Sequence, residues 1–186
     1  MTRQTVVILD FGSQYTQLIA RRVRENKVFS RIVPFKISAK ELAAMAPKGI
    51  ILSGGPASVT DKKSPCPDPG IFKLGIPILG ICYGMQVMSE VLGGKVRHTK
   101  SREFGKAELF IDDNRDLFSH VPGNFTCWAS HGDYVTKLPA GFRAIAHTTN
   151  APLAAMAHTG KRFYGVQFHP EVTHTEKGSQ ILGNFL

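Results

Sequence analysis

The stretch ILGICYGMQVMSEVLGG (residues 78–94) runs from an unbroken apolar segment through a single cysteine held between two glycines into a helical pattern. The apolar segment, part of IPILGIC (76–82), reads as a buried strand. The apolar positions of GMQVMSEVLGG (84–94) recur at helical spacing, and the closing glycines end the helix. A strand that passes into a helix through Gly80-Ile81-Cys82-Tyr83-Gly84 has the G-x-Nuc-x-G form of a nucleophile elbow. The glycines let strand and helix approach a strained turn, and a helix N-terminus favours a thiolate. Packing is the plain alternative, since free cysteine is among the most buried residue types.

Outward from this unit, strand and helix signals alternate. TVVILD (5–10), VFSRIVP (28–34), GIILSGGP (49–56) and IPILGIC (76–82) read as strands, the third running into a glycine turn. SQYTQLIARRVREN (13–26) carries Leu18, Ile19 and Val23 at helical spacing, with Ser13 as N-cap; SAKELAAMA (38–46) starts at a Ser38 cap, and DPGIFKLG (68–75) is a short helix. Such alternation gives βαβ units and a mostly parallel sheet. Beyond residue 105 the pattern changes. KAELFID, FTCWAS, FRAIAHTT, PLAAMAH and RFYGVQFH are strands joined by turns, which predicts an antiparallel extension, and GSQILGNFL (178–186) starts a helix.

The 186 residues suffice for one domain with a sizeable core. No apolar run approaches the roughly 20 residues that cross a bilayer, and the N-terminus has no signal-peptide layout, so a cytoplasmic protein without a membrane partner is expected. Three cysteines without a C-x-x-C pair suggest neither a disulfide framework nor a zinc knuckle. The formal net charge of +9 invites a nucleic-acid reading, but no basic run exceeds two residues, so a solvated basic surface is preferred and no nucleic acid is expected as partner.

Further motifs carry chemistry. GVQFHPEV (165–172) sets His169 at a strand end with Glu171 two residues on, where an extended chain projects both to one side and the acid can hold the imidazole tautomer. A metal reading of His169, Glu171 and His174 lacks H-E-x-x-H spacing, and no metal is expected. LSGGPAS (52–58) is a turn whose Gly54 and Gly55 N–H groups could hold an oxyanion. A pyrophosphate loop is its rival, although Ala57 stands where that pattern has an acid and Pro56 has no N–H. CWASHGDYV (127–135) places Ser130-His131-Gly132-Asp133 after an apolar strand, as a turn or a substrate-positioning loop. Asp10, Gly12 and Ser13 close the first strand, where ligand sites of parallel sheets gather.

GICYGMQ, SGGP and GVQFHPE, in this order, resemble the triad-type (class I) glutamine amidotransferases over essentially the whole chain. DFGSQYTQLIARRVRE, Tyr83 and Met85 within CYGMQ, and SHGD are similar to the amidotransferase domains of the GMP synthetases. The resemblance implies an α/β fold with an open, mostly parallel, Rossmann/flavodoxin-like sheet. It implies a catalytic triad of Cys82, His169 and Glu171, oxyanion donors at the backbone of Gly55 and Tyr83, and glutamine contacts near Gln86, Ser130, Gly132 and Asp133. It further implies residues 1–186 as a single glutaminase domain that needs no cofactor. The ammonia would pass to adenylated xanthosine monophosphate on an ATP pyrophosphatase (synthetase) partner holding ATP and Mg. The partner's S-G-G-x-D-S loop is absent, so this chain is expected to be the first part of a fused enzyme, or else a separate subunit. Rival readings are a γ-glutamyl hydrolase or other cysteine hydrolase on the same scaffold, and a non-catalytic binding module.

Overall fold

A computed structural model describes the backbone of residues 4–186 and their side chains outside residues 99–102. One nine-stranded sheet organises it: β1 (Thr5–Asp10), β2 (Phe29–Pro34), β3 (Gly49–Leu52), β4 (Ile78–Ile81), β5 (Lys95–Ile111), β6 (Asn124–Lys137), β7 (Phe142–His147), β8 (Ala155–His158) and β9 (Phe163–Val166). The spatial order is β2-β1-β3-β4-β9-β8-β7-β5-β6. The first five strands are parallel and the remaining pairings antiparallel. With β9 in fifth place, the parallel half has the 2-1-3-4-5 order of doubly wound flavodoxin-like sheets, whose ligands sit at the carboxyl ends of the strands. The expected mixed sheet is present.

Strand alternation explains why both faces are covered. Val6, Ile8, Ile51, Leu79 and Ile81 pack with Ile19, Ala20 and Val23 of α1 (Thr16–Glu25) and with Ile181 and Leu182 of α4 (Gly178–Phe185). Val7, Leu9, Ile50, Leu52 and Ile78 face the other way. They meet Leu42 of α2 (Ala39–Ala44), Met85 and Met88 of α3 (Tyr83–Val91), and Ile71 and Phe72 of a 3-10 turn over Pro69–Lys73. Every residue of GIIL and ILGI is buried, as central parallel strands require.

Local expectations fare unevenly. Ser38 caps α2 through a capping box with Glu41, as its sequence predicts. Ser13 is not a cap. The chain turns sharply after β1, with Gly12 at φ +91° and its N–H donating to Asp10, and Ser13 Oγ accepts from Tyr15 N–H before α1 begins at Thr16. Ser130–Asp133 form neither a turn nor a loop. They lie inside the 14-residue β6, because pairing along β5 overrides the local turn preference. β5 likewise starts at Lys95, eleven residues before the KAELFID segment, and its register with β6 breaks between His98 and Glu103. β9 ends at Val166, so His169 lies three residues past the strand. Among the described residues no helix is long and apolar enough to cross a membrane.

Candidate active site

Cys82 sits at the junction of β4 and α3 with φ 52° and ψ −107°, a backbone conformation that side-chain-bearing residues rarely adopt. The flanking glycines permit it. A Cβ on Gly80 would lie 2.6 Å from the Gly84 carbonyl group, and one on Gly84 would lie 2.2 Å from the Leu52 carbonyl oxygen. The strand therefore feeds the helix with no room for a methyl group on either side, and the cysteine is held in a strained turn at the carboxyl edge of the sheet. The thiol is not fully enclosed. It opens into a cavity of ≈ 360 Å³ lined by Gly55, Ser58, Tyr83, Gln86, His98 and Ser130–Asp133. A neighbouring one of ≈ 290 Å³ is lined by Gly12–Tyr15, Gly55, Pro56, Cys82, Ser130 and His169.

His169 is fixed from several sides. Its N–H donates to the Trp128 carbonyl at 2.9 Å, and Thr175 Oγ1 donates to its carbonyl at 2.7 Å. The Tyr15 ring meets the imidazole edge-on at 5.3 Å. Its Nδ1 lies 2.8 Å from Glu171 Oε1, and Glu171 is fully buried. The pairing expected from the sequence is present, although a turn through Pro170 makes it rather than extended strand. Arg22 of α1 donates to the Glu171 carbonyl at 3.0 Å, and among the described atoms Glu171 Oε2 has no hydrogen-bond partner. With Nδ1 engaged, Nε2 is the nitrogen left for the thiol. Burial works against charge on the ring, but hydrogen bonds and negative charge from Cys82 and Glu171 outweigh it and raise its pKa from 6.5 to about 10. A positively charged imidazole thus sits beside the Cys82 sulfur.

Gly54 lies between the two groups: a Cβ there would come 3.2 Å from His169 Cε1 and 3.8 Å from Cys82 Cβ. Gly55 is pressed onto the chain just past β1, its missing Cβ falling 2.6 Å from the Phe11 carbonyl oxygen. Ser53 Oγ accepts from Phe11 N–H at 2.9 Å and ties the same loop down. Tyr83 is the first residue of α3, where backbone N–H groups have no intrahelical acceptor. The glycine loop after β3 and the start of α3 thus flank the cysteine.

Of the four expected glutamine contacts, all line the larger cavity beside Cys82, yet two are already engaged. Gln86 is buried, and its Nε2 donates to the Asp133 carbonyl at 2.8 Å and to Gln167 Oε1 at 3.3 Å. Asp133 Oδ1 lies 2.8 Å from His98 Nδ1, and Oδ2 accepts from Ser58 Oγ. The Ser130 carbonyl lies 3.7 Å from the Cys82 sulfur. Sequence reasoning missed Ser58, His98, Tyr15 and Gln167, whose Nε2 reaches the sulfur at 3.6 Å. It also missed the buried pair of His131 Nε2 with Glu103 Oε2 at 3.1 Å. Alternation along β6, which turns His131 and Asp133 inward with Cys127 and Ala129, was the available signal. A cavity of ≈ 580 Å³ lies elsewhere, around Phe72, His158 and Arg162, and holds none of these groups. Among the described residues no cluster of His, Cys, Asp and Glu could hold a metal ion.

A strained thiol beside an acid-oriented imidazole can carry out acyl transfer. Comparison with known proteins bears on which kind. The family described as glutamine amidotransferase class-I matches residues 7–186. The chain is 56% identical over all 186 residues to the glutamine-hydrolysing GMP synthase of Thermosynechococcus vestitus, and 53% identical to that of Rippkaea orientalis. It spans about a third of the length of these relatives, 35% and 34%. A solved Thermoplasma acidophilum protein, provisionally assigned as one subunit of a GMP synthase, superposes with TM-score 0.87 at 30% identity, covering 100% of this chain and 93% of that one. A Thermotoga maritima glutamine amidotransferase superposes with TM-score 0.74 at 20% identity, covering 92% of this chain and 78% of that one, and supports the fold.

Proposed function

Because the chain belongs to the class-I glutamine amidotransferase family, we propose that it is the glutamine-hydrolysing part of a GMP synthase, with Cys82, His169 and Glu171 as its catalytic triad. The observation that carries this reading is the strained Cys82 at a glycine-flanked elbow, beside an imidazole whose Nδ1 is held by Glu171.

The sulfur of Cys82 attacks the side-chain amide carbon of glutamine. The backbone N–H groups of Gly55 and Tyr83 receive the developing oxyanion, a donor pair of the kind in which losing one member costs about 3 kcal/mol. His169 gives a proton to the departing nitrogen, and ammonia leaves a glutamyl thioester. The neutral imidazole then takes a proton from water as its oxygen attacks the thioester, releasing glutamate and restoring the thiolate–imidazolium pair. Glu171 keeps the ring oriented and stabilises its charged form. Gln86, Ser130, Gly132 and Asp133 line the space where glutamine is held.

Residues 1–186 form the single glutaminase domain of a longer enzyme that works in the cytoplasm. The ATP pyrophosphatase part lies outside this chain and carries ATP and Mg. There ammonia attacks adenylated xanthosine monophosphate. The identity to GMP synthases over the whole chain, together with coverage of about a third of their length, supports that arrangement. The test measures glutamate production by this chain alone, and then with the synthetase part, ATP and xanthosine monophosphate. Slow hydrolysis accelerated by the loaded partner is expected, by roughly 5- to 150-fold if coupling has its usual size. Full activity in isolation, unchanged by the partner, contradicts the interdomain coupling; hydrolysis of γ-glutamyl peptides in preference to glutamine contradicts the substrate assignment.

A further inference from the structure

We propose that Glu103 is a positioning residue for glutamine, holding the Ser130–Asp133 wall against Cys82 through His131; this rests on the function proposed above. The two residues face each other across the ribbon, where the β5–β6 register resumes after its break between His98 and Glu103. Glu103 Oε2 lies 3.1 Å from His131 Nε2, and the side chains are 7% and 3% exposed. With its other oxygen, Glu103 accepts from Thr148 Oγ1 at 2.8 Å. Thr148 is itself fixed: its N–H donates to the Ala151 carbonyl and its Oγ1 accepts from Ala151 N–H, both at 3.0 Å. The connection between β7 and β8 is thus bolted through Glu103 to the strand that faces the nucleophile.

Burial alone would raise the Glu103 pKa, but hydrogen bonds from His131 and Thr148 outweigh it and hold the carboxyl below its usual range. A buried polar pair of this kind adds little stability over apolar side chains of similar volume. What it supplies is one fixed orientation, with both carboxylate oxygens occupied. That orientation matters at the cavity, which His131 lines and Glu103 does not. Ser130, Gly132 and Asp133, assigned above to glutamine, all stand within two residues of His131, and the Ser130 carbonyl lies 3.7 Å from the Cys82 sulfur. Removing the carboxylate frees the ring. Among the described atoms His131 Nδ1 already has no hydrogen-bond partner, so Nε2 would lose the one this side chain has. A buried imidazole left so reorients and carries the neighbouring peptides with it. His169 is held separately, by Glu171, by Thr175 and by Trp128 in the regular stretch of the ribbon. Glutamine binding therefore suffers more than the chemical step.

The experiment compares Glu103→Ala, Glu103→Gln, Thr148→Val and the Glu103→Ala/Thr148→Val double variant in the full chain. Its readouts are steady-state glutamine hydrolysis and hydrogen–deuterium exchange of the 128–135 segment. Glu103→Ala should raise KM at least about tenfold with kcat within about threefold of wild type. Glu103→Gln should keep KM within about threefold, since an amide of the same length still reaches His131 and Thr148. Thr148→Val should raise KM by less than Glu103→Ala does, and the double variant should be no worse than Glu103→Ala. Amides of the wall should exchange at least about tenfold faster in Glu103→Ala. Should Glu103→Ala fail to fold, Thr148→Val carries the same KM and exchange comparison against Glu103→Gln. A loss of kcat with KM unchanged overturns the inference, as does wall exchange unchanged from wild type. A Glu103→Gln variant as impaired as Glu103→Ala also overturns it, because the site would then need the negative charge and not the hydrogen bonds. If wild type hydrolyses no glutamine, the functional reading fails, and exchange of the wall still decides whether Glu103 holds it.

Discussion

The two halves of the sheet contribute to the site in different ways. The parallel half, β2-β1-β3-β4-β9, is made of short strands, the central β3 and β4 buried on both faces, and it delivers groups from strand ends: the glycine loop after β3, Cys82 after β4, and His169 past β9. The antiparallel β5–β6 ribbon has strands of 17 and 14 residues and presents Ser130–Asp133 from the middle of one of them. Strand ends can be strained and aimed, as the φ of Cys82 shows, whereas mid-strand residues are fixed by register and make a wall. On the proposed function, the reacting groups therefore come from the parallel half and the wall facing the substrate from the ribbon.

The largest expected effect follows from that division. Cys82→Ala should abolish glutamine hydrolysis with the fold kept, because only one sulfur is removed, while amination driven by external ammonia should survive in an intact synthetase. Glutamate production at the wild-type rate would move the nucleophile elsewhere. His169→Ala comes next, with a loss of about 10²–10⁴-fold, because the residue serves as both acid and base. Glu171→Gln should lose less, since an amide can still orient the ring. Steady-state kinetics on the folded variants decides it, and equal losses would call for a different base.

Stability should show the same contrast. Gly84→Ala forces a methyl group onto the Leu52 carbonyl and should cost about 3 kcal/mol. Gly123→Ala, just before the ribbon strand β6, meets nothing within 4 Å and should be neutral or gain up to about 1 kcal/mol. Urea unfolding of both measures the gap; comparable losses would mean the elbow is no more tightly packed than the start of the ribbon.

The smallest effect is a pH dependence. Folding raises the His169 pKa from 6.5 to about 10, so the stability gained from its charged ring is complete below pH 6.5 and fades as pH climbs toward 10. Glu171→Gln removes part of that gain. The stability difference between wild type and Glu171→Gln should therefore be widest near neutral or mildly acidic pH and shrink toward pH 10. A difference that grows with pH would show that the folded protein holds the ring neutral.

How much of this was legible in the sequence follows the same line. The elbow could be read because its strain demands glycines at 80 and 84, and the His169–Glu171 contact because the two residues stand close together in GVQFHPE. Buried runs such as GIIL announced the parallel strands. The ribbon resisted reading. Ser-His-Gly-Asp has turn chemistry on its own, and only pairing with β5 makes it strand. The contacts of Asp133 with Ser58, His98 and Gln86 span 75, 35 and 47 residues, separations at which local pattern carries no information. Ser13 looked like a cap because it precedes a helical pattern; the turn forced by Gly12 moved the helix start to Thr16.

The most direct test of Cys82 as the reacting group sets the three cysteines against one another. Cys66 is exposed in a proline-rich loop, and partial burial raises its pKa. Cys127 is buried on the inner face of β6, where burial and then the nearby Glu103 charge push its pKa to about 12. Treatment with a glutamine-mimicking electrophile at neutral pH, followed by peptide mapping, should place the label on Cys82 and spare both others, with excess glutamine slowing the reaction. Preferential labelling of Cys66, the most accessible of the three, with no protection by glutamine, would contradict the assignment of Cys82 as an activated nucleophile.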